Sequence, residues 1–235
     1  MEVIGKLKII LTNDDGIDAP GLVALGHCAQ KFGELAVVAP SRPQSGIGHR
    51  VTTRSPIQVN PLANNHFSVE GTPADCSRIA LKCLVPDAAW LISGINAGAN
   101  LGSDIYQSGT VAAAREAAIL GFRSIAISQY IALDHLINWD ITRQVAGRVL
   151  EMILQQPLES GYFWNINLPH PLTLDADPAN TFCHLDTYPH QYTYRVNHNA
   201  YSYEGVIHER PRKPGKDVDV CFSGHVSVTR IGLTA

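Results

Sequence analysis

The feature that most constrains this chain is a short apolar run that ends abruptly in charge: Leu7–Thr12 is followed at once by Asn13, Asp14, Asp15 and Gly16. The run is too short for a buried helix and suits a strand. Because it does not alternate with polar residues, the strand should be covered on both faces, as in a parallel sheet. Asp18 can cap the helix that follows, and Pro20 suits its first turn. That helix is predicted to run to about Lys31 and to stop near Gly33. Leu35–Ala39 is a second buried run. Strand, loop, helix, strand is the opening of a doubly wound α/β fold with a mostly parallel sheet.

The alternation continues down the chain. Val51–Asn60 and Phe67–Glu70 read as a β-hairpin leaving the sheet. Thr72-Pro73-Ala74-Asp75 is a helix start with a reciprocal capping pattern. Trp90–Ser93 is predicted as a third core strand, Thr110–Leu120 as a helix closing on Gly121, and Ser124–Ser128 as a fourth strand. A helix over about Asn138–Leu154 and a strand over Phe163–Leu168 follow. Beyond Pro169 the character changes to His, Tyr and Pro, with Tyr201–His208 and His225–Ile231 expected as antiparallel strands. Residues 1–169 thus read as the α/β core, with its hairpin at about 50–70. Residues 170–235 read as a C-terminal antiparallel extension of the same domain, suited to oligomerisation.

Composition excludes several functions. With 235 residues, 45% of them hydrophobic, the chain can bury a core without metal or disulfide staples. A formal net charge of -3 supplies no global field for nucleic acid or an anionic membrane. No stretch approaches the roughly 18 apolar residues of a membrane helix, and the opening residues lack the apolar core of a signal peptide. The five cysteines form no C-x-x-C pair and read as buried reduced thiols of a cytoplasmic protein, with Cys76 and Cys83 on one helix face.

In a parallel sheet the loops after successive strands project from one edge, where ligands of such sheets bind. Here those loops carry Asp14 and Asp15, then Ser45, Gly46 and Gly48, then Gly94, Asn96, Asn100, Asp104 and Ser108-Gly109-Thr110. Adjacent carboxylates repel unless a cation or proton lies between them. With hydroxyl and amide oxygens nearby they suit Mg²⁺ or Mn²⁺ better than Zn²⁺. The bland alternative is an Asp-Gly turn that caps a helix. The glycines let backbone N–H groups approach a ligand, and the Ser108-Gly109-Thr110 helix start favours a bound phosphate. Arg115 and Glu116 read as a solvated face or a structural pair, and His49 is the one histidine in a candidate active loop. Walker, dinucleotide-fingerprint, nucleophile-elbow and zinc motifs are missing from the sequence.

The segments IILTNDDGIDAPG, VVAPSRPQSGIGHRVT, GTPADC, LISGINAGANLGSDIYQSGTVAAAREAAILG and GHVSVTRIGLTA together resemble the stationary-phase survival protein family, SurE. The resemblance implies a 5'/3'-nucleotidase that hydrolyses nucleoside monophosphates with one divalent metal per subunit, and short polyphosphate ends as a further substrate. It implies a Rossmann-like three-layer sandwich with a protruding hairpin, and a homodimer or homotetramer. It places metal ligands on Asp14, Asp15, Ser45 and Asn96, and a phosphate pocket on Asn96, Asn100, Ser108, Gly109 and Thr110. Asp14, Asp15, Asn100, Ser108 and Thr110 become the catalytic set. The chain has Ala99 and Arg230 where the family commonly has proline, and residues 169–217 match poorly. A nucleotide-binding regulatory protein that does not hydrolyse is the rival class. The tail around Tyr188–His198 offers either stacking surfaces for a base or a subunit interface.

Overall fold

The computed structural model describes residues 7–170, 172, 173, 175 and 177–233. The opening residues considered above for a signal peptide, and the last two of the tail motif, lie outside the described residues. The first half contains β1 (Leu7–Thr12), α1 (Pro20–Ala29), β2 (Gly33–Pro40), β3 (Val59–Pro61), β4 (His66–Val69), α2 (Pro73–Ile79), β5 (Trp90–Ala97) and α3 (Gly109–Ile119). The second contains β6 (Arg123–Gln129), α4 (Trp139–Ile153), β7 (Tyr162–Leu168), β8 (Asn180–Phe182), β9 (Tyr194–Asn197), β10 (Ala200–Tyr203), α5 (Asp217–Phe222) and β11 (Val226–Gly232).

One sheet runs in the order β3-β4-β2-β1-β5-β6-β7-β11-β8. From β4 through β7 every pairing is parallel. Successive side chains on a strand face opposite layers, and β1 shows the consequence. Ile9 and Leu11 join the core under α1 and α4, whereas Ile10 joins the core under α2. Helices therefore cover both faces, which completes the three-layer α/β sandwich. The chain travels from β1 outward through β2 on one side, and from β5 outward through β6 and β7 on the other. The crevice between β1 and β5 is thus a topological switch point, the place where open α/β sheets bind ligands.

Several expectations change in three dimensions. The hairpin at about 50–70 does not leave the sheet: β4 pairs in parallel with β2, and β3 closes the edge antiparallel to β4. The exposed backbone edge of β2 is the reason, since a partner strand satisfies it. The hairpin that stands apart is β9–β10, a separate two-stranded sheet. The capping position of the helix after β1 is Ala19, which has no side-chain cap, so Asp18 does not cap it. Thr72 and Asp75 do form the reciprocal capping box. α2 passes into a π-helical turn at Ala80–Leu84, which rotates the following residues, so Cys76 is buried while Cys83 is exposed.

The tail is not separable from the core. β11 lies antiparallel on β7, pairing Ser227 with Asn167 through Gly232 with Tyr162, and β8 follows in parallel with β11. Of the expected strand over Tyr201–His208 only the first three residues are extended, within β10, and Ile207–Glu209 is a 3-10 turn. Among the described residues no helix is long and apolar enough to cross a membrane.

Candidate active site

The turn after β1 is stitched by its own asparagine. Asn13 Nδ2 donates to the Gly16 carbonyl at 2.8 Å, and the Gly16 N–H donates to Asn13 Oδ1 at 3.2 Å. Gly16 sits at φ +107, open to glycine and strained for a residue with Cβ. The Gln44 N–H donates to the Asp14 carbonyl at 2.7 Å, and the Gly48 N–H to the Gln107 carbonyl at 3.0 Å. These two bonds tie the loop carrying Ser45 to the loops after β1 and β5. β5 runs further than Ser93, with a register shift between Ser93 and Asn96, so Asn96 lies on the strand itself. Its Nδ2 donates to the Gly98 carbonyl at 2.7 Å, which leaves the Oδ1 free to accept or coordinate.

Asp14, Asp15, Ser45, Asn96, Asn100 and Ser108 meet at one cavity of about 330 Å³. Gly46, Ala97, Asp104 and Gln107 line it as well. Ser108 caps α3, its hydroxyl oxygen accepting the Val111 N–H at 3.1 Å, and so keeps an O–H to donate elsewhere. Gly109 and Thr110, grouped with the phosphate pocket in the sequence, are not among the lining residues. Thr110 is fully buried and donates its hydroxyl to Asp14 Oδ1. Gly109 is what lets α3 come this close, because a Cβ there would stand 2.7 Å from the Asp14 Cβ. Both residues act on Asp14.

Burial pushes Asp14 up to about 6, opposed by the Thr110 hydroxyl and raised further by the neighbouring Asp15. Burial raises Asp15 as well, opposed by the Ala97 N–H. Desolvation disfavours two negative charges side by side, and an added cation would relieve it. Among the described residues no group of three or more His, Cys, Asp and Glu side chains is arranged for a metal. The available donors are instead two carboxylates with the Ser45 hydroxyl and the Asn96 amide oxygen. An all-oxygen set fits a hard divalent cation that keeps several waters, such as Mg²⁺ or Mn²⁺.

The glycine-rich loop is held by residues that sequence reasoning passed over. The Asn100 N–H donates to Asn167 Oδ1 at 2.7 Å, and its carbonyl accepts Asn165 Nδ2 and Asn167 Nδ2. Asn100 Nδ2 donates to Ser128 Oγ at 2.8 Å. Two asparagines two apart on the otherwise apolar β7 were the available signal, since they share one face. From the tail, Asp217 Oδ2 accepts the Gly102 N–H at 2.7 Å, and Arg210 Nη1 donates to Asp104 Oδ2 at 2.6 Å. Those partners lie more than a hundred residues from the loop, and nothing local marks them. Glu116 is a structural partner rather than a solvated one: it is buried between His49 Nε2 at 2.7 Å and Arg78 Nε at 2.6 Å. Burial would raise its pKa, yet those two partners hold it below the ordinary value.

Comparison with known proteins identifies the family and the fold. The family model described as Survival protein SurE matches residues 9–190. A protein of Nostoc sp., provisionally named a 5'-nucleotidase, is 46% identical and spans 96% of this chain and 99% of its own. The 5'-nucleotidase SurE of Geotalea daltonii is 36% identical over 97% of this chain and 93% of its own. The crystal structure of the SurE protein from Aquifex aeolicus superposes with a TM-score of 0.81 at 28% identity, covering 96% of this chain and 93% of that one.

Proposed function

The chain belongs to the SurE family, and from that membership and its own cavity we propose that it is a metal-dependent phosphomonoesterase of nucleoside 5'- and 3'-monophosphates. One observation carries the reading. Two adjacent, partly desolvated carboxylates face a helix start and two asparagines across a cavity at the switch point of the sheet. A purely binding protein would gain little from such a pair, because a phosphate dianion is repelled by it unless a cation intervenes.

Asp14, Asp15, Ser45 and Asn96 would hold one divalent cation, Mg²⁺ or Mn²⁺. Such a cation, when bound, polarises a phosphate oxygen and acidifies a water. The rest falls to the chain. Ser108 directs its O–H to a phosphate oxygen, and Asn100, with one N–H spent on Ser128, presents the other. Donors held in place before reaction stabilise the charge that redistributes over the phosphoryl oxygens. Thr110 donates its hydroxyl to Asp14 Oδ1 and so holds that carboxylate in place, and one of Asp14 or Asp15 accepts the proton of the attacking water. Short polyphosphate ends present the same terminal phosphate and are proposed as a second substrate. A homodimer or homotetramer is proposed as well, supported by the exposed Val196 and Tyr201 at the tip of the β9–β10 hairpin.

The test is phosphate release from a panel of nucleoside monophosphates, with Mg²⁺, with Mn²⁺ and with chelator. Release that needs the metal supports the reading. No release from any monophosphate, with nucleotide still bound, would transfer the protein to the regulatory class.

A further inference from the structure

A second cavity, of about 620 Å³, opens beside the first and shares Asp104 and Gln107 with it. Its walls come from the tail: His190, Tyr192, Tyr194, Tyr203, Glu204 and Arg210. Tyr192, Tyr194 and Tyr203 are 52%, 55% and 57% exposed, an unusual state for three tyrosines that converge on one concavity. One face of Tyr192 is covered by His190, with ring centroids 5.1 Å apart and planes 12° from parallel. Tyr203 is tilted against both Tyr192 and Tyr194, at 59° and 63°. Stacking on His190 covers one face of Tyr192, and Tyr203 stands tilted beside it with ring centroids 5.9 Å apart.

We propose that this aromatic cleft seats the nucleobase of the substrate, while Asp104 and Gln107 lie along the sugar between the two cavities. The proposal rests on the phosphomonoesterase reading and names the part of the substrate that is not phosphate. A monoester whose phosphate sits at Asp14 and Ser108 must send its remaining atoms past the rim of that cavity, and Asp104 and Gln107 form the rim shared with the cleft. A carboxylate and an amide there match sugar hydroxyls, which both donate and accept. Beyond them a flat heteroaromatic ring covers exposed tyrosine faces, the sequence-tolerant stacking by which proteins hold unpaired bases. The cleft volume suits a nucleoside-sized ligand. Arg210, which bonds both Asp104 and the Leu101 carbonyl, fixes the partition between the two cavities.

The experiment has two arms on the full chain. Calorimetry measures binding of adenosine, which has no phosphate, to wild type, Tyr192→Ala, Tyr203→Ala and Tyr203→Phe. The second arm compares kcat/KM for adenosine 5'-monophosphate with that for ribose 5-phosphate, which has no base. Adenosine should bind the wild type and lose about tenfold or more affinity in each alanine variant, while Tyr203→Phe, which keeps the ring, stays within about twofold. The ratio of the two substrates should fall in parallel, through KM. Adenosine that fails to bind, or binds the alanine variants equally, overturns the proposal, as does a wild type that treats both substrates alike. Unaltered ratios with a changed molecular mass would assign the tyrosines to contact with a second copy and overturn it too. If neither substrate releases phosphate, the hydrolase reading falls, and the calorimetric arm still decides the cleft.

Discussion

The two ends of the candidate site are built in opposite ways. At the carboxylate end Asp14 is buried, Thr110 is spent on it, and the missing Cβ of Gly109 lets α3 pack directly against it. At the aromatic end three tyrosines stand half exposed with their rings tilted against one another. The first region holds its charges in position before a ligand arrives, as chemistry requires. The second leaves surface for a ligand to cover, as recognition requires. The carboxylate end comes from contiguous loops at strand ends, whereas the aromatic end comes from the tail and is tied to the sheet through Arg210, Asp217 and β11.

That contrast can be broken or sharpened by substitution. The largest effect is expected for Asp14→Asn, which should reduce phosphate release about 10³-fold or more while the thermal melt of the metal-free protein holds or rises, since a buried charge is removed. Retained metal-dependent turnover would deny the carboxylate end its role. Gly109→Ala comes next. A Cβ 2.7 Å from that of Asp14 must displace the carboxylate, and displacement of about an ångström lowers turnover by about 10²-fold. An Ala variant with normal kinetics would show that Asp14 tolerates movement.

Asp217→Ala tests whether the tail holds the loop. It removes the acceptor for the N–H groups of Gly102, Asp186 and Val218. Unsatisfied buried donors cost about 1–3 kcal/mol each, and part of that is recovered by water, so denaturant titration should show a loss of about 3 kcal/mol. A loss below 1 kcal/mol would separate the tail from the core after all.

The smallest effects are those of protonation. Because burial raises Asp14 to about 6, the folded protein takes up a proton there more readily than the unfolded chain. The resulting stability is fully present below the ordinary carboxylate range and is lost as pH rises through about 6. Without metal, the wild type should therefore gain stability relative to Asp14→Asn on going from pH 7 to pH 5. Metal affinity should move the other way, because the proton and the cation compete for one carboxylate. Thr110→Val removes the hydroxyl that holds Asp14 down, so the acidic limb of the pH–rate profile should shift upward, with about two- to tenfold less activity near neutrality. An unmoved limb would leave Thr110 a packing residue.

Much of the fold was legible because its signals are local. The buried runs that became β1, β2, β6 and β7 need no partner to be recognised, and neither do the capping box at Thr72 nor the loop glycines. The hairpin at the sheet edge was misread because alternation reports a half-covered strand but not which neighbour covers it. Cys83 was misplaced because a π-helical turn leaves no trace in residue spacing.

The sequence by itself determined the alternation of strands and helices as far as β7 and the polar loops at the strand ends that carry Asp14, Asp15 and Ser45. Each of these depends on residues a few positions apart. Only the tertiary structure decided that Thr110 serves Asp14, that Asn165 and Asn167 anchor Asn100, and that Asp104 and Arg210 divide the carboxylate-lined cavity from an aromatic cleft. Those contacts join positions from about sixty to more than a hundred residues apart. Which of the many polar side chains pair across such separations is set by how the sheet and its helices pack, and the packing energy is shared by the whole core rather than written in any one segment.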